Sequence, residues 1–444
     1  MARQLFGTDG VRGLANTWLD CNKAFLLGQA AVKFLGKQIV VGKDTRISGD
    51  MLEAALCAGI TSAGGCAMQA GVVPTPAVAF MAKKPACAGG VVISASHNPP
   101  EYNGIKFFDE CGFKLPDSLE NEIEVFVLAG GVPANELPAG DAVGSIVQVE
   151  GATELYVQHA IDTISGEGIN FNGMHIALDA AHGAAYKTTQ QALESLGAKV
   201  SVINNTYTGC DINVKCGSTN LGQLKNLVAN EGCCVGIAHD GDADRVMLVD
   251  AQGNEIDGDV IEAVCALDLH ARGKLKNNTV VTTVMANLGF VRAMENAGIN
   301  VEQTKVGDRY VLEAMRGGGF VLGGEQSGHM IFLEHNSTGD GLITALQFLA
   351  ACKRSGKTPG EAAQVVTKFP QVLINVQVSN KQAAIESSKV HTAVSKAQAA
   401  LGKTGRVLLR PSGTEPVVRV MVEAESEEVA QKHANEIANV VGEA

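Results

Sequence analysis

Apolar, β-rich runs alternate with helical patterns along most of this chain, and that alternation restricts it to α/β layers with mostly parallel strands. Strands are expected at residues 38–41, 90–94, 174–179, 199–203, 233–238, 279–284, 300–304 and 320–323. Helices are expected at 23–35, 51–63, 119–128, 153–164, 187–196, 222–230, 259–271, 288–297 and 338–354. Asp50 and Ser118 precede helical patterns and are candidate N-caps. From about residue 369 the order changes to strand, long helix (381–401), strand (405–409), loop, strand (417–423), helix (427–441), which predicts a smaller α+β domain with an antiparallel sheet. A chain of 444 residues exceeds what one core holds, roughly 250–300 residues. Boundaries near 150, 253 and 368 divide it into 1–150, 151–253, 254–368 and 369–444, with the Gly-, Pro- and Ala-rich stretch 130–144 leading out of the first block. No short repeat is visible, although the first three blocks have room to be structural relatives.

Composition narrows the function. Apolar residues at 46% and charged residues at 18% suit a folded globular protein. No run of about 18 apolar residues predicts a membrane span. The N-terminus lacks a signal-peptide core, so the expected location is the cytoplasm. A net charge of −12 argues against a nucleic-acid binder. The eleven cysteines follow no zinc or CxxC spacing and read as buried thiols in a reducing compartment.

Four motifs carry chemistry. In Val91-Val92-Ile93-Ser94-Ala95-Ser96-His97-Asn98-Pro99 an apolar strand runs into hydroxyl, imidazole and amide groups, at the kind of strand end where α/β sheets bind ligands. Ser96 is a candidate nucleophile that needs a base, metal or charged partner; a polar turn is the plainer reading, and the G-x-S-x-G elbow is absent. In His239-Asp240-Gly241-Asp242-Ala243-Asp244-Arg245 three aspartates recur at alternate positions, which in an extended chain share one face. Like charges 4 Å apart repel by roughly 4 kcal/mol at an effective dielectric near 20, so the group must hold protons or a cation, most simply Mg²⁺, with a solvated acidic turn as the plainer alternative. An EF-hand fails because Arg245 and Ala251 stand where Gly and Glu are needed. An aspartyl nucleophile at Asp240 explains neither the third aspartate nor the Ser96 loop. Arg410-Pro411-Ser412-Gly413-Thr414-Glu415-Pro416, followed by Arg419, has the parts of a phosphate clamp or of a hairpin turn. Gly324-Glu325-Gln326-Ser327-Gly328-His329 spaces Glu325 and Ser327 to face one way, as acceptor and donor for sugar hydroxyls, with His329 able to exchange protons; a polar turn accounts for the stretch equally well. Arg12, Lys106, Asp308 and Arg309 are further candidates, and Asp44 with Arg46 reads as a structural ion pair.

Together these motifs resemble the α-D-phosphohexomutase superfamily: 94–99 as its phosphoserine loop, 240–245 as its metal loop, 324–328 as its sugar loop and 410–416 as its phosphate loop. They stand in that family's order and span residues 6 to 419. The segments 6–13, 306–310 and 324–329 are similar to the branch that acts on glucosamine phosphates, whereas phosphomannomutases tend to differ at Gln326 and to carry Thr-Gly-His near Gly307. Pro99-Pro100-Glu101-Tyr102-Asn103 departs from the branch without touching Ser96 or Lys106.

The resemblance implies three similar α/β domains with mixed, mostly parallel sheets plus a smaller α+β domain, around a central cleft. It implies that phosphorylated Ser96 gives its phosphoryl group to glucosamine 6-phosphate, that the bound 1,6-bisphosphate turns around, and that glucosamine 1-phosphate leaves toward UDP-N-acetylglucosamine. Mg²⁺ is then held by Asp240, Asp242, Asp244 and a Ser96 phosphate oxygen. Arg245, His97 and Lys106 are expected to neutralise charge, with Lys106 as acid or base and Arg12 and His329 nearby. Glu325 and Ser327 would hold the sugar, Asp308 and Arg309 would join the substrate site, and Arg410, Ser412, Gly413, Thr414 and Arg419 would grip the non-reacting phosphate. Glucosamine 1,6-bisphosphate or glucose 1,6-bisphosphate is the implied activator. The expected partner is a small sugar phosphate, without nucleic acid or membrane, and a homodimer is left open. The alternatives are a phosphomannomutase or phosphoglucomutase, a phosphatase using Asp240, and a non-catalytic sensor.

Overall fold

The computed structural model of the chain describes residues 4–7, 9–166, 168–412 and 416–443. The first sheet has six strands, β1 (Val11–Leu14), β2 (Gln38–Lys43), β3 (Cys66–Val72), β4 (Gly89–Ile93), β5 (Tyr102–Phe108) and β6 (Ser145–Gln148), in the order β1-β5-β4-β2-β3-β6. The second has β7 (His175–Asp179), β8 (Lys199–Ile203), β9 (Val235–His239), β10 (Val246–Asp250) and β11 (Glu255–Ile256), ordered β11-β10-β9-β7-β8. The third has β12 (Thr279–Thr283), β13 (Asn300–Thr304), β14 (Leu322–Gly324) and β15 (Met330–Phe332), ordered β13-β12-β14-β15.

These three sheets repeat one device. Parallel strands joined by helices form the body, and one parallel strand turns back through a loop into an antiparallel partner: β4 into β5, β9 into β10, β14 into β15. Each of those loops carries one of the chemical motifs, with Ser96, the three aspartates and Glu325 respectively. The three blocks are structural relatives although their sequences show no repeat. The central strands β4 and β9 are buried along their whole length, as parallel strands covered on both faces are, which is why they read as apolar runs.

These sheets lie in one compact unit, residues 1–285 with 299–365. The second unit comprises 286–298 and 366–444. It holds the antiparallel sheet β16 (Gln371–Gln377), β17 (Arg406–Pro411) and β18 (Val417–Glu423), with β18 central. Residues of β16 alternate between exposed and half-buried, the period-two pattern of a sheet with one wet face. The helix Leu288–Asn296, which chain order assigns to the third block, belongs to this unit. Its cap residue Asn287 donates to Phe369 O and to Glu423, whose carboxylate also takes Arg406 Nε at 2.6 Å.

Three local expectations are corrected. Asp50 does not cap its helix, which runs Ser48–Ser62; it sits in the first turn and pairs with Lys43 Nζ at 2.5 Å. Ser118 is likewise inside the helix Asp117–Leu128, whose first turn is acidic through Asp117 and Glu120, as the positive end of the helix dipole favours. The long helix expected at 381–401 is two, Lys381–Glu386 and Ser388–Leu401, because Ser387 takes an extended conformation with ψ 127°. No helix among the described residues is long and apolar enough to cross a membrane.

Candidate active site

The loop leaving β4 carries Ser96 at φ 51°, in the left-handed region that non-glycine residues seldom adopt. Its Oγ donates to Asp240 Oδ2 at 2.6 Å and lies 3.4 Å from His97 Nδ1. The three aspartates converge, though not for the reason the spacing suggested. β9 stops at His239, the chain turns, and Ala243 takes φ 55°. That turn, rather than an extended strand, brings one carboxylate oxygen of each of Asp240, Asp242 and Asp244 within 4.8 Å of the others, all three side chains buried. Thr75 Oγ1 donates to Asp242 Oδ2 at 2.6 Å. Asp242 Oδ1 and Asp244 Oδ1 are buried with no hydrogen-bond partner among the described residues. Buried carboxylate oxygens left open beside a hydroxyl are costly unless a cation satisfies them, and an all-oxygen donor set fits Mg²⁺.

The charges around this triad are tightly organised. Burial, with Asp244 and Asp242 alongside, pushes the Asp240 carboxyl well above its ordinary range, so the three cannot all ionise without positive charge to offset them. Lys106, buried on β5, lies 2.9 Å from Asp9, 3.0 Å from Asp242 and 3.9 Å from Asp244. Burial opposes its charge, but those three carboxylates win and hold it as an ammonium. Lys114 joins Asp9, at 2.5 Å, to Asp308. His329 places Nδ1 3.5 Å from Asp244 and Nε2 3.7 Å from Asp308. Burial works against its proton, whereas Asp244 and then Asp308 raise its pKa. Asp9, Lys106, Asp244, His329, Asp308 and Lys114 thus close a ring of alternating acids and bases. Arg12, on β1, pairs with Asp9 at 2.8 Å and reaches Asn98 Oδ1 at 3.4 Å.

Burial, followed by the charges of Arg245 and Arg12, lowers the His97 pKa to about 4 and favours its neutral imidazole, with Nδ1 3.4 Å from Ser96 Oγ. Asp9, Lys114 and Thr75 are members of the site that the sequence motifs did not single out as individual residues.

The sugar loop is fastened to the metal loop. Arg245 and His329 form an isolated antiparallel bridge, and Val246 N donates to Gly328 O at 3.1 Å. Gly328 has φ 88°, and a Cβ there would lie 2.1 Å from Val246 O, so only glycine allows the approach. Glu325 Oε1 accepts from Gly307 N at 3.1 Å and Oε2 from Ser327 Oγ at 3.4 Å. Arg309 is not brought into this cluster. Its guanidinium is ion-paired with Glu120, at 2.9 Å, and with Asp117 of the helix Asp117–Leu128.

In the second unit Arg410 and Arg419 are directly opposite on β17 and β18. Like charges across an antiparallel pair are unfavourable unless an anion joins them. Burial and the Arg419 charge both weaken the Arg410 proton, and its Nε has no hydrogen-bond partner among the described residues. Ser412 follows β17, its carbonyl accepting from Lys381 Nζ at 2.7 Å. Gly413 and Thr414 lie outside the described residues.

An acid triad beside a serine, on a thrice-repeated α/β plan, is the architecture of a phosphohexomutase. Four families described as phosphoglucomutase/phosphomannomutase match in order: alpha/beta/alpha domain I over residues 3–130, domain II over 154–253, domain III over 257–369 and the C-terminal domain over 373–440. The chain belongs to this family, and it is an isomerase of the mutase type. The phosphoglucosamine mutase of Clostridium novyi (strain NT) is 50% identical over 449 residues, covering 99% of each chain, and that of Desulforamulus reducens is 48% identical over 444 residues with the same coverage. Within the family, then, it stands with the phosphoglucosamine mutases. A putative phosphomannomutase from Thermus thermophilus has the same fold, with TM-score 0.80, 25% identity and 98% of each chain covered. So does Aspergillus fumigatus N-acetylphosphoglucosamine mutase, solved with GlcNAc-6P and magnesium, at TM-score 0.68 and 19% identity over 99% of this chain and 96% of that one.

Proposed function

We propose that the enzyme interconverts glucosamine 6-phosphate and glucosamine 1-phosphate with Ser96 as the phosphoryl carrier. The observation that carries this reading is the Ser96 hydroxyl, 2.6 Å from a carboxylate of the buried acid triad. The relatives near 50% identity, named phosphoglucosamine mutases, support the choice of sugar.

The transferred group passes between Ser96 Oγ and a sugar oxygen, at C1 in one orientation and at C6 in the other. Asp240, Asp242, Asp244 and a Ser96 phosphate oxygen would hold Mg²⁺, which supplies charge neutralisation for the transferring group. Lys106, an ammonium among three carboxylates, donates toward the oxygen that changes partners, and His329 is the neighbouring group able to exchange a proton. Arg12 and Arg245 add positive charge, and Asp308 holds Lys114 and His329 in place. Glu325 and Ser327 take the hydroxyls common to both orientations. Arg410, Ser412 and Arg419, with Gly413 and Thr414, hold the phosphate that is not reacting. Anchoring that remote group keeps the reactive end aligned, an effect that reaches several kcal/mol of barrier. Glucosamine 1,6-bisphosphate, or its glucose counterpart, both recharges Ser96 and is the form the sugar takes between its two half-reactions. The product is suited to making UDP-N-acetylglucosamine in the cytoplasm.

Side-by-side turnover of glucosamine, mannose and glucose 6-phosphates, each with its 1,6-bisphosphate, tests the reading. The expected result is a higher kcat/KM for glucosamine 6-phosphate than for either hexose. Preference for mannose or glucose would replace the substrate, and release of inorganic phosphate in step with substrate loss would replace the reaction class.

A further inference from the structure

Asp44 and Arg46 stand between β2 and the helix Ser48–Ser62, and the ion pair expected of them is present at 3.0 Å with both side chains fully buried. Its surroundings give it a larger role. A guanidinium has five N–H donors. Nε of Arg46 goes to Asp44; Nη2 donates to Ser96 O at 2.9 Å and to Asn98 O at 2.7 Å; Nη1 donates to Tyr102 O at 3.0 Å and also to Pro99 O. Every donor is engaged; three of the four carbonyls belong to the loop between β4 and β5, and the fourth, of Tyr102, to the first residue of β5. Asp44 reaches the same serine from the other side, since Ser94 Oγ donates to Asp44 at 2.6 Å and accepts from Ser96 N at 2.9 Å. Both main-chain groups of Ser96 are therefore tied to one buried carboxylate.

A second clamp comes from the next block. Asn213, itself at φ 62°, donates through Nδ2 to Ser96 O at 2.9 Å and to Asn98 O at 3.1 Å. Two loop carbonyls are thus held twice, once from the first sheet's own block and once from the block that bears the metal loop. Gly241 of that loop closes the arrangement, because a Cβ there would meet Ser96 O at 2.7 Å and Asn213 Nδ2 at 2.8 Å.

We propose that Asp44, Arg46 and Asn213 are positioning residues that lock the left-handed turn at Ser96, so that its phosphoryl group is aimed at the sugar oxygen and not at water. This rests on Ser96 being the carrier. Transfer breaks the bond from Ser96 Oγ to phosphorus and forms one to a sugar hydroxyl; the competing discharge forms it to a water oxygen, giving inorganic phosphate and a free serine. Misplacement by about 1 Å can cost on the order of a hundredfold in a correctly aligned transfer. Discharge to bulk water demands no such alignment, so a loosened loop shifts the balance toward it.

Asn213→Gly accepts the left-handed backbone without strain and deletes both donations. Asn213→Asp keeps the shape but turns a donor into an acceptor facing two carbonyls. Each protein is loaded with phosphate by the bisphosphate, mixed with glucosamine 6-phosphate, and scored for label in sugar against label in inorganic phosphate. The sugar-to-phosphate ratio is expected to fall about tenfold in Asn213→Gly and further in Asn213→Asp, with kcat falling in parallel and KM within about twofold of wild type. Arg46→Lys, with three donors for five sites, is expected to lose at least as much. Wild-type partitioning in both Asn213 variants overturns the proposal, including the case in which only the melting temperature falls. A wild-type enzyme that takes no phosphate on Ser96 overturns the reading beneath it instead.

Discussion

Replacing Lys106 with methionine separates what its charge does for stability from what it does for chemistry. The ammonium is buried, 2.9 Å from Asp9 and 3.0 Å from Asp242. Contacts of about 3 Å are each worth roughly 5–6 kcal/mol at an effective dielectric near 20, before desolvation is subtracted. Removing one member of a buried ion cluster costs about 3–5 kcal/mol net, since the remaining carboxylates lose their partner while methionine fills the space. Denaturant unfolding in chelator should show a loss of that size. Added Mg²⁺ should stabilise Lys106→Met more than wild type, because the triad is then more negative. In saturating Mg²⁺ the variant's kcat should be down about 10²–10⁴-fold, the span of a lost general acid or base. A kcat within threefold of wild type in that buffer would remove Lys106 from the chemistry, and unchanged stability in chelator would refute the buried-charge argument itself.

Other perturbations read other parts of the account. Gly241→Ala should lower kcat by at least tenfold with the fold retained, since its methyl would sit 2.7 Å from Ser96 O; full activity would mean the serine turn is not so constrained. Arg410→Ala should raise KM for the sugar phosphate about tenfold or more and leave Mg²⁺ affinity unchanged, as a lost charge-assisted anion contact would; an unchanged KM would withdraw the clamp. His335 titrates near 4 in the folded chain because of burial and then of His159 and the cations near it, against an ordinary 6.5. The unfolded chain therefore takes up this proton first on acidification, and the stability contribution is full above about pH 6.5 and lost as pH falls toward 4, by at most about 3 kcal/mol. His335→Gln should flatten the stability profile by about one proton in that window, and an identical slope would contradict the buried neutral imidazole.

The sequence was most readable where structure and chemistry are local. The strand β4 is five buried residues and reads as an apolar run, and the acid triad lies within five consecutive positions. β5 was harder, for it contains Asn103, Gly104 and Lys106, yet it is buried for most of its length. Polar residues survive there because carboxylates from distant segments pair with the lysine, which no local pattern discloses. Lys114 shows the same difficulty, its partners Asp9 and Asp308 lying 105 and 194 positions away. β6 is exposed at every residue, so it carries no hydrophobic period to detect. The helix Thr75–Ala82 lies among prolines 74 and 76, which suggest a loop but also suit a helix's first turn. His97 illustrates a limit of another kind: its place beside Ser96 was legible, but its neutral state follows from burial and from arginines that the fold brings near.

The carrier role of Ser96 is tested most directly in a single turnover. Enzyme labelled on Ser96 with radioactive phosphate is mixed with excess glucosamine 6-phosphate and quenched over milliseconds to seconds. The account predicts that label leaves the protein and enters the sugar at a rate no slower than kcat. Label that stays on the protein while unlabelled glucosamine 1-phosphate accumulates would contradict it.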